Sequence, residues 1–145
     1  MASLTDCQTS PAATAYRLHA LVLHAFRSIG LSFLVPGVVS PDLPIAFARD
    51  AVYGDIVAAI LALATLATLR SGVGIALAWA FNLWGSFDLL NAFYQANAAG
   101  LSPGQLGAAY FIPTAIVPLL LITHGLMFRV LLQSQRWRAV AASNP

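Results

Sequence analysis

Lysine and glutamate are absent from the 145-residue sequence, and charged residues of all kinds make up only 8% of it. A soluble domain carries roughly 25% charged residues and about 45–50% apolar ones, whereas 59% of this chain is hydrophobic. The seven arginines and five aspartates leave a net charge of +2, which is too small and too scattered to mark a nucleic-acid surface. Composition therefore predicts a protein embedded in a lipid bilayer that does not bind nucleic acid.

Cysteine is almost absent too, since it occurs once, as Cys7 in a polar N-terminal tail. One cysteine forms no internal disulfide and no cysteine-rich zinc site, and the three histidines have no metal-binding spacing. The sequence signatures of nucleotide-binding loops, serine hydrolases and zinc proteases are missing as well. A haem held between His24 and His124 is chemically possible, but only their similar depth favours it. We therefore expect no metal and no cofactor.

Four hydrophobic stretches are long enough for membrane-spanning helices, which need about 20 mostly apolar residues. Proline, glycine and polar residues separate these stretches. The first stretch lacks the small-residue cleavage site of a signal peptide, so we expect it to be retained. The sequence predicts an all-α polytopic membrane protein, a four-helix bundle in one domain, with polar tails at residues 1–14 and 134–145. The predicted spans are about 18–38, 52–69, 73–96 and 108–132.

The arginine positions predict an orientation. Only Arg49 lies in the first connection between spans, whereas the other six fall at the N-terminal end, in the second connection or at the C-terminal end. Because cytoplasmic loops carry the excess of positive residues, we predict that both termini are cytoplasmic. The six arginines are Arg17, Arg27, Arg70, Arg129, Arg136 and Arg138.

Polar groups inside a membrane are costly, so they are the first place to look for a site. With a rise of about 1.5 Å per residue, the predicted spans place these groups in two layers at different depths. All of them except Gln95 are candidate site residues. The outer layer contains Asp55, Asp88, Asn91 and Gln95, and the inner layer contains His24, Arg27, Asn82 and His124.

The uncharged candidates also have a structural interpretation. The third span presents polar groups on more than one face, which suits a tightly packed bundle joined by interhelical hydrogen bonds. A hydrogen-bonded structural histidine is likewise an alternative to a ligand or proton carrier at His124. The side chains that fit this hydrogen-bonding role are Asn82, Ser86, Asn91 and Gln95.

The three charged candidates differ in how easily a structural role explains them. Asp55 can be an acidic residue in the first turn of a helix, paired with Arg49. Arg27 can snorkel, extending its side chain to the headgroups, or can be the buried counter-ion of a carboxylate or an anionic lipid head. Asp88 lies well inside the third span and therefore needs a partner, a proton or water.

Local patterns predict details of the helices. The segment Ser102-Pro103-Gly104-Gln105 fits the capping-box pattern, so the fourth helix is expected to begin before the hydrocarbon region. Pro113 and Pro118 each remove a backbone hydrogen bond, and such kinks often border a cavity. In the second helix, small residues at four-residue spacing form a stripe that is a candidate contact face for another helix or subunit. The stripe consists of Gly54, Ala58 and Ala62.

Three short segments resemble an uncharacterised family of small four-helix bacterial membrane proteins. They are Tyr53-Gly54-Asp55, residues 82–89 and residues 111–124, and the resemblance covers roughly residues 49–132. It implies a four-span fold in a bacterial inner membrane. It implies no activity, because none is known for that family.

Three functions fit these observations. The first is a non-enzymatic integral membrane protein: a small transporter or channel protomer, or an accessory subunit of a membrane complex. Four helices are few for a solute path, so we expect a homo-oligomer or a membrane-protein partner. The second is a membrane-embedded enzyme that acts on a lipid or isoprenoid through the Asp55 and Asp88 carboxylates, with Arg27 or His124 orienting the substrate. The third is a bundle whose polar residues only specify packing.

Overall fold

The computed structural model describes the backbone of residues 11–68 and 71–142, without the side chains of residues 11–17, 72, 103, 137–139, 141 and 142. Predictions about Cys7, Arg70 and the outermost parts of the two tails lie outside the described residues, as do the side chains of Arg17 and Arg138. Every regular element in the described part of the chain is a helix. This confirms the all-helical fold.

The first helix changes its geometry halfway. Helix α1 spans Pro11–Ala25 and continues as a 3₁₀ helix over Phe26–Leu34. The buried residues of this 3₁₀ segment are Arg27, Gly30 and Phe33, which lie three positions apart. Because a 3₁₀ helix has about three residues per turn, this spacing aligns the three residues in one row that faces the bundle.

The other long helices follow in sequence order. Helix α2 spans Ile45–Ala67 and α3 spans Gly72–Ala98. The short helix α4 spans Pro103–Leu106, and α5 spans Val117–Ala142. Three stretches of these helices are long and apolar enough to cross a membrane, whereas the apolar segment at the first helix is shorter. The three are Ile45–Ala67, Val73–Ala98 and Ile112–Arg136, and the shorter segment is Leu18–Leu34.

The approach to α5 is irregular. Gln105 accepts a hydrogen bond from the Ser102 N–H over 3.0 Å, as the capping-box pattern predicts, but helix α4 that begins there spans only Pro103–Leu106. A 3₁₀ turn over Gly107–Tyr110 and a π-helix over Ile112–Ile116 then lead into α5. Of the two predicted kinks, the one at Pro113 coincides with this π-helix. Pro118 follows directly after it as the second residue of α5, in a helix that runs on from the π-helix without a break.

The small-residue stripe of α2 is buried within the protein. Ala58 and Ala62 have no exposed surface, and Gly54 is also buried. The interpretation of this stripe as a contact face for another subunit is therefore wrong. Its small side chains instead allow the close approach of helices of the same chain.

Two apolar clusters fill the bundle, and five buried polar side chains lie between them along the helices: His24, Arg27, Asn82, Asp88 and His124. The loop-end cluster packs beside the connection between α1 and α2, and the turn-end cluster packs near the short turn between α2 and α3. The loop-end cluster is built from Phe33, Leu43, Phe47, Ala48, Val52, Leu89, Leu106, Ala109, Ile112, Val117 and Leu120. The turn-end cluster is built from Ala20, Leu21, Ala62, Ala78, Phe81, Met127 and Leu131.

Candidate functional site

Arg27 joins the two buried aspartates in one ion-pair cluster. Its Nε donates to Asp55 Oδ1 over 2.7 Å, and its Nη2 donates to Asp88 Oδ2 over 2.5 Å. The Arg27 side chain is 1% exposed, whereas the side chains of Asp55 and Asp88 are 14% and 11% exposed. The guanidinium is thus sealed inside the bundle, and the carboxylates are the charged groups of the cluster that remain partly accessible.

Two glycines make room for the carboxylates. A Cβ at Gly30 would overlap the Asp55 carboxylate, and a Cβ at Gly54 would overlap the Asp88 carboxylate. Neither glycine has a positive φ, so close approach, rather than backbone freedom, requires glycine at these positions. The ion-pair cluster therefore depends on helices that pack with almost no side chain between them.

A histidine pair lies next to the ion-pair cluster. His124 Nδ1 is 2.7 Å from Asn82 Oδ1, and His24 Nε2 is 2.8 Å from the Thr123 hydroxyl. That hydroxyl donates to the Leu120 carbonyl, so it accepts a hydrogen bond from His24. The two imidazole centroids are 4.2 Å apart. Both rings are therefore oriented by hydrogen bonds while they pack against each other.

The histidine pair and the ion-pair cluster meet at Gly85. A Cβ there would lie 2.5 Å from His124 Nε2 and 3.1 Å from Arg27 Nη1. Neither of these nitrogens has a hydrogen-bond partner among the described residues, and the same holds for His24 Nδ1 and Asn82 Nδ2. An unpaired buried polar atom costs about 1–3 kcal/mol. The polar core therefore contains hydrogen-bonding capacity that the packed side chains leave unused.

A cavity of about 50 Å³ reaches the ion-pair cluster from the side of the loop-end cluster. Arg27, Asp55 and Asp88 supply its charged groups, and the remaining lining residues are apolar. Pro113 of the π-helix is among them, which agrees with the expectation that a proline kink borders a cavity. The apolar lining consists of Phe33, Phe47, Ala51, Leu89, Ala92, Phe93, Ala96, Ile112, Pro113 and Val117.

The arrangement corrects three expectations. Arg27 does not snorkel, because its side chain is buried against two carboxylates. The partner of Asp55 is Arg27 and not Arg49. The two polar layers are not separate, because the long Arg27 side chain bridges from the depth of the histidines to that of the carboxylates. Each of its two ion pairs is a charge-assisted hydrogen bond, which is stronger than a hydrogen bond between neutral groups.

Asn91 lies outside the ion-pair cluster. Together with Gln95 and Asp50 it lines a smaller crevice of about 10 Å³ beside Asp88.

The sequence interpretation missed Thr123, Gly30 and Gly85. Thr123 adjoins His124 in the sequence, whereas the two glycines have no side chain that a search for polar groups could find.

Comparisons with known proteins place the chain in a family but assign no activity. The family model described as a domain of unknown function (DUF8737) matches residues 4–132. The match includes every candidate site residue, and it extends over the first helix, beyond the resemblance seen at residues 49–132. Comparison with curated proteins and with solved structures finds no match.

Proposed function

The chain belongs to the DUF8737 family, whose function is unknown, and we propose that it is a non-enzymatic integral membrane protein, a protomer of a small transporter. The transported or coupled ion, a proton or another cation, binds at the ion-pair cluster of Arg27, Asp55 and Asp88. The observation that carries this proposal is that one sealed guanidinium pairs with two partly accessible carboxylates.

The charges of the ion-pair cluster support a cation site. Two ionised carboxylates and one guanidinium sum to a net charge of −1. An uncompensated charge in a low-dielectric interior costs several kcal/mol or more. A proton or another cation removes this cost by neutralising the second carboxylate. The cluster is therefore matched to binding one additional positive charge.

The packing on the two sides of the cluster favours a carrier over a channel. The cavity approaches the carboxylates from the loop-end side. On the other side, Phe81 of the turn-end cluster packs against both histidines, and the crevice found within that cluster measures about 10 Å³. A channel needs a continuous path, whereas a carrier exposes its site to one side at a time. The arrangement fits a carrier with its site turned toward the loop end.

The membrane arrangement is part of the proposal. Residues 18–25 contribute about 12 Å as an α-helix, and the following nine 3₁₀ residues contribute about 18 Å at about 2.0 Å per residue. Their sum of about 30 Å equals the usual hydrocarbon thickness, so the first segment acts as a fourth span. We propose that both termini are cytoplasmic in a bacterial inner membrane and that the protomers form a homo-oligomer or join a membrane-protein partner.

Electrophysiology on a solid-supported membrane tests the proposal without knowledge of the substrate. Proteoliposomes are exposed to steps in pH and to steps in sodium, potassium, methylammonium and tetramethylammonium. We expect charge displacement after a pH step and its loss in Asp88→Asn. This variant is expected to fold, because Arg27 and Asp55 still neutralise each other. Asp42→Asn, which removes an exposed carboxylate, is the matched control and should leave the signal unchanged.

The other interpretations give different results in the same experiment. If wild type and Asp88→Asn respond identically to every step, the transporter proposal is wrong. A change in thermal stability alone would then indicate a bundle whose polar residues specify packing. A lipid substrate consumed in an Asp55- and Asp88-dependent manner would indicate an enzyme instead.

A further inference from the structure

The cavity on the loop-end side of the ion-pair cluster combines accessible negative charge with an apolar wall. The carboxylates of Asp55 and Asp88 retain 14% and 11% exposure, whereas the guanidinium between them retains 1%. A ligand in the cavity therefore meets carboxylate oxygens before it meets the arginine. This order of accessibility selects a cation and disfavours an anion, although a buried arginine is usually associated with anion binding.

The wall of the cavity suits an organic cation better than a metal ion. Three phenyl rings, those of Phe33, Phe47 and Phe93, line the space together with small and aliphatic side chains. A hard metal ion needs about six or more oxygen ligands, and within the described lining only the two aspartates supply side-chain oxygens. An ammonium group needs few acceptors for its N–H donors, and a cation is also attracted to phenyl faces.

The size of the cavity limits the charged head of the ligand. One water needs about 10–15 Å³ of such a space, so about 50 Å³ accommodates a few groups of water size. A primary ammonium with its first methylene groups fits this volume, whereas a trimethylammonium head is considerably larger. Primary amines should therefore bind better than quaternary ones.

The mouth of the cavity indicates where the rest of the ligand lies. Phe93, on α3, is 40% exposed and is the most exposed residue of the lining, and its neighbours Ala92 and Ala96 are half-buried. Pro113 of the π-helix forms part of the same wall. This surface belongs to a helix that is long and apolar enough to cross a membrane. A ligand that extends out of the cavity here meets apolar side chains and lipid.

We propose that the coupled cation is a primary alkylammonium with an apolar tail. This inference rests on the proposed cation site. In the empty site, one carboxyl group of the Asp55–Asp88 pair holds a proton and the other balances Arg27. When the alkylammonium binds, this proton leaves to water and the ammonium takes its place, so the net charge stays at zero. The site therefore exchanges one ammonium for one proton.

Isothermal titration calorimetry with n-hexylammonium tests this exchange on the full chain in lipid nanodiscs. Titrations in phosphate and in HEPES, which differ in ionisation enthalpy, give the number of protons released. Empty nanodiscs supply the heat of partitioning into lipid. We expect saturable binding with release of about one proton per ammonium, as charge compensation at a shared site requires. Hexanol and hexanoate, which share the tail but lack the positive charge, should not bind saturably.

Three variants distinguish this site from general binding to lipid. Asp88→Asn should weaken hexylammonium by about 30-fold or more, because it removes one partner of a buried charge pair. Ala92→Leu leaves the ion-pair cluster intact and fills the cavity, so it should also weaken binding. Asp42→Asn should bind like wild type. Hexyltrimethylammonium should bind more weakly than hexylammonium.

Specific results overturn the inference. Binding without proton release, binding that survives both Asp88→Asn and Ala92→Leu, or no saturable binding at all would each show that an alkylammonium is not the ligand. If the Asp88-dependent response to pH steps persists in those cases, the transporter proposal stands and only the ligand class is wrong. If that response is absent as well, both proposals fail.

Discussion

The guanidinium of Arg27 donates from Nη2 to Asp88 Oδ2 over 2.5 Å, although the two residues are 61 positions apart in the chain. Together with the bond from Nε to Asp55, this contact ties the 3₁₀ segment to both α2 and α3. The Arg27 guanidinium is sealed inside the bundle, so no water shell replaces its carboxylate partners if they are lost. The two ion pairs should therefore matter for stability as well as for the proposed site.

Replacing the arginine tests this structural role. Arg27→Met leaves two carboxyl groups facing each other in the interior, and we expect a loss of about 3–5 kcal/mol in the free energy of unfolding. SDS-induced unfolding in detergent micelles measures it. Arg49→Met removes an exposed arginine and serves as the control.

Uncharged replacements of the carboxylates should compensate for the missing guanidinium. The triple variant Arg27→Met, Asp55→Asn, Asp88→Asn contains no charge in the cluster and should recover most of the lost stability. Equal losses in Arg27→Met and Arg49→Met would contradict the importance of the ion pairs. A triple variant as unstable as Arg27→Met would show that the arginine stabilises by packing alone.

Because α2 and α3 approach each other closely, we expect that adding a single methyl group at Gly54 lowers the stability of the protein. In Gly54→Ala, the new Cβ overlaps the Asp88 carboxylate, and we expect destabilisation of about 1–3 kcal/mol. Gly125→Ala is the matched control, because it also lies in a long helix but its Cβ meets open space. It should be neutral or stabilising by up to about 1 kcal/mol. Similar thermal stability of the two variants would argue against this packing.

A double-mutant cycle can test the hydrogen bond between Asn82 and His124. Asn82→Ala should cost about 1–3 kcal/mol, because it leaves a buried imidazole nitrogen without a partner. In a His124→Phe background, the same substitution should cost less by at least about 0.5 kcal/mol. Asn97→Ala, at an exposed position of α3, is the control. Additive effects of the first two substitutions would exclude the interaction.

The single cysteine provides a test of the proposed four-span arrangement. A membrane-impermeant maleimide should label Cys7 in inside-out vesicles and not in spheroplasts. In the variant Cys7→Ser, Ser40→Cys, the pattern should be reversed, because one span separates the two positions. If both positions are labelled from the same side, the first apolar segment does not cross the membrane.

Several features of the fold follow from the sequence because they depend on composition and local order. The apolar stretches alone indicate helices suited to a membrane, and the proline at position 113 predicts an irregularity where the π-helix forms. The hydrogen bond from the Ser102 N–H to the Gln105 side chain is local as well, since the residues are three positions apart. The cost of burying charge also identifies Asp55, Asp88 and Arg27 as candidates, because each lies in an apolar stretch.

Only the tertiary structure decides how these candidates are combined. The preference of Arg27 for two carboxylates over the headgroups depends on the reach of its side chain and on the rotation of three helices. The roles of Gly30, Gly54 and Gly85 depend on which atoms lie opposite them, and the sequence contains no record of that. By itself the sequence determines that this chain is helical and apolar with few charges. The packing of the helices determines that these charges form one cluster beside a cavity, because contacts between distant residues arise only when helices meet.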